Sequence, residues 1–355
     1  MSIKIEREKF TVTLSDPILY VDNKSRNRSG HMSHAMAEWA PGKLIDFNSN
    51  CSAVKHRGHS TFGWIEYRLS NDGGETYSDI YELPYSKLAL YDGINVISVE
   101  KAVGCDDGRI IAFCLRNSAD ALCEPWDTPM TVTSFNGGIS WNDEKALCQY
   151  KGRIYDACYH NGIIYVLQFC NDGSVSFTGN KDEHVYRIFT SRNNGESFEE
   201  MCVVPISSYG RGYGSMLFDD NEALHVYTYN INDEVNMDHV VSLDGGLSWN
   251  AAQVCYLKEG IRNPQTALID GVYILHGRNT TLNGFLLYTS LDGYTWDAGT
   301  YIARENGSCY YSNNVIMKDK NGKSRMLIQY SETYGQEDCV NVKHVWLTVE
   351  KKTSQ

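Results

Sequence analysis

The octet SLDGGLSW, from Ser242 to Trp249, decides how this 355-residue chain is read. It describes a hairpin turn. Asp caps free backbone N–H groups, Gly takes the positive φ that a Cβ resists, and the hydroxyl and aromatic tie the turn down onto a sheet. One such octet fits many turns. This one returns as SNDGGETY from Ser70 to Tyr77, SFNGGISW from Ser134 to Trp141 and SRNNGESF from Ser191 to Phe198, then once more, shortened, as SLDGYTW from Ser290 to Trp296. The closing aromatics stand roughly 47 to 64 residues apart, which is room for four short strands and their turns.

Between the octets the chain alternates apolar strands with Gly/Asn/Asp turns, as in VISVEKAVGCDDGRIIAFCLR, IYDACYHNGIIYVLQFC and PQTALIDGVYILHGR. Each is a strand, a turn and a second strand, the inner hairpin of a propeller blade. No stretch carries a helical period, and no Pro/Gly/Ser linker marks a boundary. The fold class this predicts is all-β: one six-bladed β-propeller of four-stranded antiparallel blades over residues 1–355. The blades fall near 31–90, 91–150, 151–205, 206–258, 259–304 and 305–350, and an N-terminal strand within 9–20 closes the ring.

Composition narrows the partners. With 44 acidic against 32 basic side chains the net charge is −12, and no Lys/Arg cluster offers a phosphate backbone its footprint, so nucleic acid is excluded. No apolar run approaches the roughly 20 residues that span a bilayer, and MSIKIEREKFTVTLSD lacks a signal peptide's apolar stretch; the expectation is a cytoplasmic protein without membrane contact. Eleven Cys with no CxxC pair read as small buried hydrophobes in a reducing compartment. Oligomeric state is not legible.

In a propeller the innermost strands line a central funnel. Reading round their ends gives Glu100, Arg116, Tyr155 with Asp156, Arg211 with Tyr213, Arg262 with Gln265, and Arg278. The arginines Arg116, Arg211, Arg262 and Arg278 are expected to converge as an anion site, because guanidinium forks match a carboxylate bidentately, with Tyr213 and Gln265 beside them. Asp72, Asn136, Asn193, Asp244 and Asp292, at the octets' second polar position, are assigned to turn structure.

The octets are similar to Asp boxes, also called bacterial neuraminidase repeats, and six units, the first five carrying a box, resemble the sialidase superfamily from about His31 to Glu350. The segment from Gly307 to Glu332, GSCYYSNNVIMKDKNGKSRMLIQYSE, resembles the sialidase stretch in which a Tyr-Ser pair opens a strand and the next strand ends in Tyr-Glu. That resemblance implies Tyr311 as nucleophile and Glu332 as the carboxylate that activates it. A phenol suits an anomeric carbon whose own carboxylate would repel Asp or Glu.

Two stretches depart from the family. A sialidase opens its first blade with Arg-Ile-Pro, where this chain has HMSHAMAEWAPG with His31 and His34. The family's acid/base Asp belongs in the loop that here reads NSNCSAVKHRGHSTFG, which offers Lys55, His56, Arg57 and His59 and no carboxylate. Proton transfer is therefore assigned to His56 and His59. A metal held by His31, His34, His56 and His59 is the weaker reading, and no metal or cofactor is expected. The function expected is sialidase-like hydrolysis releasing a terminal carboxylated sugar from a small anionic glycan. The alternatives are a lyase acting on a uronic acid with His or Tyr as base, and a non-catalytic glycan-binding propeller.

Overall fold

The computed structural model describes residues 2–30, 34–53, 63–119, 127–174, 179–279, 284–304, 310–335 and 339–352. Period-two alternation makes its strands: in Phe10–Leu14 every second residue is buried, and Val340–Lys351 alternates over most of its length. The strands form six antiparallel sheets. Their innermost strands are Met36–Ala40, Asn95–Gly104, Gly152–His160, Arg211–Phe218, Arg262–Ile269 and Ser312–Lys318. Each packs against the inner strand of the next sheet, and the last packs against the first, so the six sheets are the blades of a closed propeller.

Both ends of the chain build the sixth blade. Its third strand, Val340–Lys351, pairs on its outer side with Phe10–Leu14, Phe10 opposite Lys351 and Leu14 opposite Leu347, and Ile3–Glu6 adds a further strand outside that. The apolar core is divided into wedges between neighbouring blades. Ile45, Phe47 and Ile65 of the first blade meet Val99, Ile110 and Ala112 of the second, and comparable clusters fill the other five junctions. Each Ile, Leu or Phe so buried contributes roughly 1.5–3 kcal/mol, so blade-to-blade packing holds the ring together.

The five octets sit at the ends of third strands and share one hydrogen-bond pattern. The first Ser accepts from a glycine N–H, as Gly74 N to Ser70 Oγ at 2.8 Å and Gly246 N to Ser242 Oγ at 2.7 Å. In the four full copies the Asp or Asn accepts from the N–H four residues on, as Ser248 N to Asp244 Oδ1 at 2.8 Å and Ser140 N to Asn136 Oδ1 at 2.9 Å, and in the shortened copy from three residues on, Thr295 N to Asp292 Oδ1 at 2.7 Å. In Asp72 and Asp244 the same bonds, led by that from the Thr76 or Ser248 hydroxyl, pull the carboxyl down to about 2.

One element was not expected. Pro84–Asp92 is an α-helix, opened by Pro at its first turn and closed by Gly93 at φ 69°, whose N–H bonds Ala89 O at 3.1 Å. Only Ser86 is buried on it; its hydroxyl donates to Leu83 O and accepts from Ile65 N, tying the helix to the first blade. With a single buried position it carries no apolar stripe, which is why the sequence shows no helical period there. No helix among the described residues is long and apolar enough to cross a membrane.

Candidate functional site

The first and third strands of a blade run in the same direction, so a pocket at the start of the inner strands lies at the opposite end of the ring from the octets. Such a pocket exists at the axis. His34, Glu100, Tyr155, Tyr213, Asn263, Gln265, Tyr311, Ser312 and Asn313 line it, so all of the blades contribute.

Four irregularities in the inner hairpins aim these side chains. The pairing skips Glu100 between Val99 and Lys101, and Tyr155 between Ile154 and Asp156. It also sets Gly212 and Tyr213 against Tyr229 alone, and Asn263 and Pro264 against Gly277 alone. A bulge adds an unpaired residue to one strand and re-aims its side chain. In the fifth blade the fit is tight: a Cβ on Gly277 would lie 2.6 Å from Arg262 O, and Asn263 sits at φ 54°.

The floor is a buried polar knot. Lys101 Nζ lies 3.0 Å from Asp156 Oδ1 and donates to Gln265 Oε1 at 2.6 Å and Asn313 Oδ1 at 2.7 Å. Asp156 Oδ2 in turn accepts from Ser215 Oγ and Met216 N, at 2.7 and 2.8 Å. One ammonium and one carboxylate thus cross-link the inner strands of five blades, and the bonding satisfies a charge pair that burial alone would penalise.

Aromatic faces form the walls, and guanidinium groups stand against them. The Tyr213 ring lies 4.7 Å from Tyr155 and 6.2 Å from Tyr311, centroid to centroid. Arg153, buried, places its guanidinium 4.2 Å from the Tyr213 centroid and pairs with Glu100 at 2.8 Å. Arg278 donates from Nε to Asn263 Oδ1 at 2.8 Å and stands 4.9 Å over the Tyr311 ring. Tyr311 itself is buried, its backbone N–H bonded to Ser331 Oγ at 3.0 Å.

The residues singled out from the sequence divide accordingly. Tyr213, Gln265 and Tyr311 line the pocket, and Arg278 touches it through Asn263 and Tyr311. The other three arginines are each held by an acid: Arg116 by Asp127 at 2.8 Å, Arg262 by Glu234 at 3.3 Å, and Arg211 by Asp238. None of these three is among the residues that line the pocket. Glu332 forms an ion pair with Lys343 of the neighbouring strand, and the carboxylate lining the pocket is Glu100. His56 and His59, like His31, lie outside the described residues; among those described, no group of His, Cys, Asp and Glu could hold a metal ion.

Sequence reasoning passed over Arg153, Lys101 and Asn263. Arg153 and Tyr155 stand two apart on one strand, which alternation would place on one face. The bulge at Tyr155 breaks that rule, and the only signals in the sequence are the glycines beside the bulges, Gly212, Gly214 and Gly277.

No family model matches the chain, and no curated protein does. Solved structures do. A protein of unknown function from Dyadobacter fermentans superposes with a TM-score of 0.73 at 12% identity, over 96% of this chain and 99% of its own. The NanB sialidase of Streptococcus pneumoniae, as its K499G mutant, gives 0.63 at 10% identity over 94% of this chain and 70% of its own. Trypanosoma rangeli sialidase, in complex with 2,3-difluorosialic acid as a covalent intermediate, gives 0.61 at 10% identity over 94% of this chain and 58% of its own. At such identities likeness speaks for architecture alone. The chain has the six-bladed propeller fold that these sialidases share.

Proposed function

We propose that the axial pocket is the active site of a glycoside hydrolase that releases a terminal carboxylated sugar, with Tyr311 as nucleophile. One observation carries the reading: a buried tyrosine at the pocket, with the Arg278 guanidinium over its ring and a carboxylate, Glu100, in the same lining. Arg278 binds the substrate carboxylate beside the anomeric carbon, and the aromatic walls of Tyr155 and Tyr213 take the apolar face of the ring.

In the first step the Tyr311 oxygen bonds the anomeric carbon and its proton passes to Glu100, while the bond to the aglycone oxygen breaks and that oxygen takes a proton from His56 or His59. In the second step water attacks the same carbon, the bond to Tyr311 breaks, and the proton on Glu100 returns to the phenolate. The water's proton restores the histidine. The covalent 2,3-difluorosialic acid complex of the Trypanosoma rangeli enzyme supports a two-step course on this fold.

The test is turnover of methylumbelliferyl glycosides of sialic and uronic acids by the wild type and by Arg278→Met. The expected result is hydrolysis of at least one glycoside, with kcat/KM reduced roughly 10- to 100-fold by the substitution. An ultraviolet-absorbing unsaturated product would replace hydrolysis by elimination. Sugar binding without turnover would leave a glycan-binding propeller.

A further inference from the structure

The pocket contains one polar group whose chemistry is fixed from behind. His34 stands two residues before the first blade's inner strand and is only 5% exposed. Its Nδ1 lies 3.1 Å from Gln329 Oε1, and Gln329 is fully buried. The amide's orientation is set in turn by Asp46, whose Oδ1 accepts from Gln329 Nε2 while its Oδ2 meets His344 Nε2 at 2.9 Å. The His344 ring is stacked on Tyr20 with centroids 3.7 Å apart, so the far end of the chain is clamped as well.

This order leaves His34 one tautomer. With the Gln329 amide nitrogen committed to a carboxylate, the amide oxygen faces His34, and an oxygen only accepts. Nδ1 therefore carries the ring proton, and Nε2 carries a lone pair. Burial pushes the imidazole's pKa down to about 4, so near neutral pH the ring is uncharged and Nε2 is an acceptor alone. That atom is buried and has no hydrogen-bond partner among the described residues, and His34 lines the pocket together with Glu100, Tyr213, Gln265 and Tyr311. A buried acceptor without a donor is costly, and here the atom belongs to a residue that lines a pocket, where a bound molecule can supply the missing bond.

We propose that His34 is a specificity-determining residue of the axial pocket, its Nε2 accepting a hydrogen bond from a hydroxyl of the bound sugar. This rests on the pocket being a sugar site and adds to it a division of labour. Arg278 reads the anionic group, and His34 reads a neutral donor, because a lone-pair nitrogen repels a carboxylate and holds a hydroxyl. A site built to bond a hydroxyl rejects the analogue lacking it, since its own buried polar atom is then left unpaired.

Two measurements test this. In 15N spectra of the histidine-labelled wild type, His34 is expected to show a protonated Nδ1 and a bare Nε2; the opposite tautomer overturns the proposal without touching the hydrolase reading. Next, kcat/KM is measured for the best carboxylated methylumbelliferyl glycoside and its monodeoxy analogues, with wild type and His34→Phe. One deoxy position should cost the wild type roughly 10- to 100-fold and cost His34→Phe little, while both proteins keep their requirement for the carboxylate. If His34→Phe discriminates against every deoxy analogue as the wild type does, the proposal fails and the site reading stands. If the wild type neither binds nor cleaves any carboxylated glycoside, the site reading fails and the proposal with it.

Discussion

At the octet end of the propeller the Ser and the Asp or Asn that form each turn bond within their own short segment. At the pocket end the partners come from other blades. Asp244 is bonded by residues within four positions of it, whereas Lys101 reaches Asp156, Gln265 and Asn313, and His34 depends on Gln329 nearly 300 residues away. The difference is one of sequence separation. Local bonding repeats with the turn that needs it, so it can be read from a single octet. Bonding across the axis exists only once the ring has closed, and each blade brings a different residue to it.

The contrast can be broken or sharpened experimentally. The largest effect is expected from Tyr311→Phe, which removes the nucleophilic oxygen and keeps the packing ring. Turnover should fall on the order of 10³-fold or more, with unchanged circular dichroism and melting temperature. Next comes the floor. Lys101→Met leaves the buried Asp156 carboxylate without its cation and should cost roughly 3–5 kcal/mol in chemical denaturation, more than any single octet change.

Gly246→Val probes the other end. At φ 100° a β-branched residue is strained, and its Cβ would meet Met201 Cε at 2.2 Å. A loss of about 1–3 kcal/mol is expected, with kcat/KM of the folded fraction unchanged. An inactive Gly246→Val protein of full stability would contradict the assignment of the octets to structure.

The smallest effect separates the two ends by pH. His276, buried between Ser312 Oγ and Asn314 Nδ2, both at 2.9 Å, has its pKa lowered to about 3 by burial and then by Lys101. A lowered histidine is protonated more readily in the unfolded chain, so its contribution is fully present above about pH 6.5 and declines as pH falls toward 3. The octet carboxylates Asp72 and Asp244, held near 2, contribute above about pH 4, and that contribution is lost between 4 and 2. Stability measured against pH should therefore fall in two stages. His276→Asn should make the first less steep, His34 and His239, also lowered by burial, supplying the rest of it, and Asp244→Asn should change only the second.

The same contrast explains how much was legible beforehand. The octets and the strand alternation announced six blades and a ring closed by the N-terminal strand, because those features obey periods of two residues and of one blade. Tyr213, Gln265, Arg278 and Tyr311 were found because they stand at inner-strand ends. Arg116, Arg211 and Arg262 stand at such ends too, but their acidic partners Asp127, Asp238 and Glu234 could be identified only by pairing. Glu100 and Tyr155 also stand at inner-strand ends and were read there, and bulges carry them to the pocket. Asn263 was passed over, because its bulge breaks the alternation that sequence reading relies on. The helix Pro84–Asp92 was missed for lack of a buried stripe, although Pro84 and Gly93 mark both its ends.

The central claim is that Tyr311 forms a covalent bond to a carboxylated sugar. It is tested most directly by incubating the protein with difluorinated sialic acid and with fluorinated uronosyl fluorides, followed by peptide mass mapping. A one-to-one adduct is expected on the peptide carrying Tyr311, absent in Tyr311→Phe. Turnover of the matching glycosides with no adduct, or with the adduct on another residue, would contradict it.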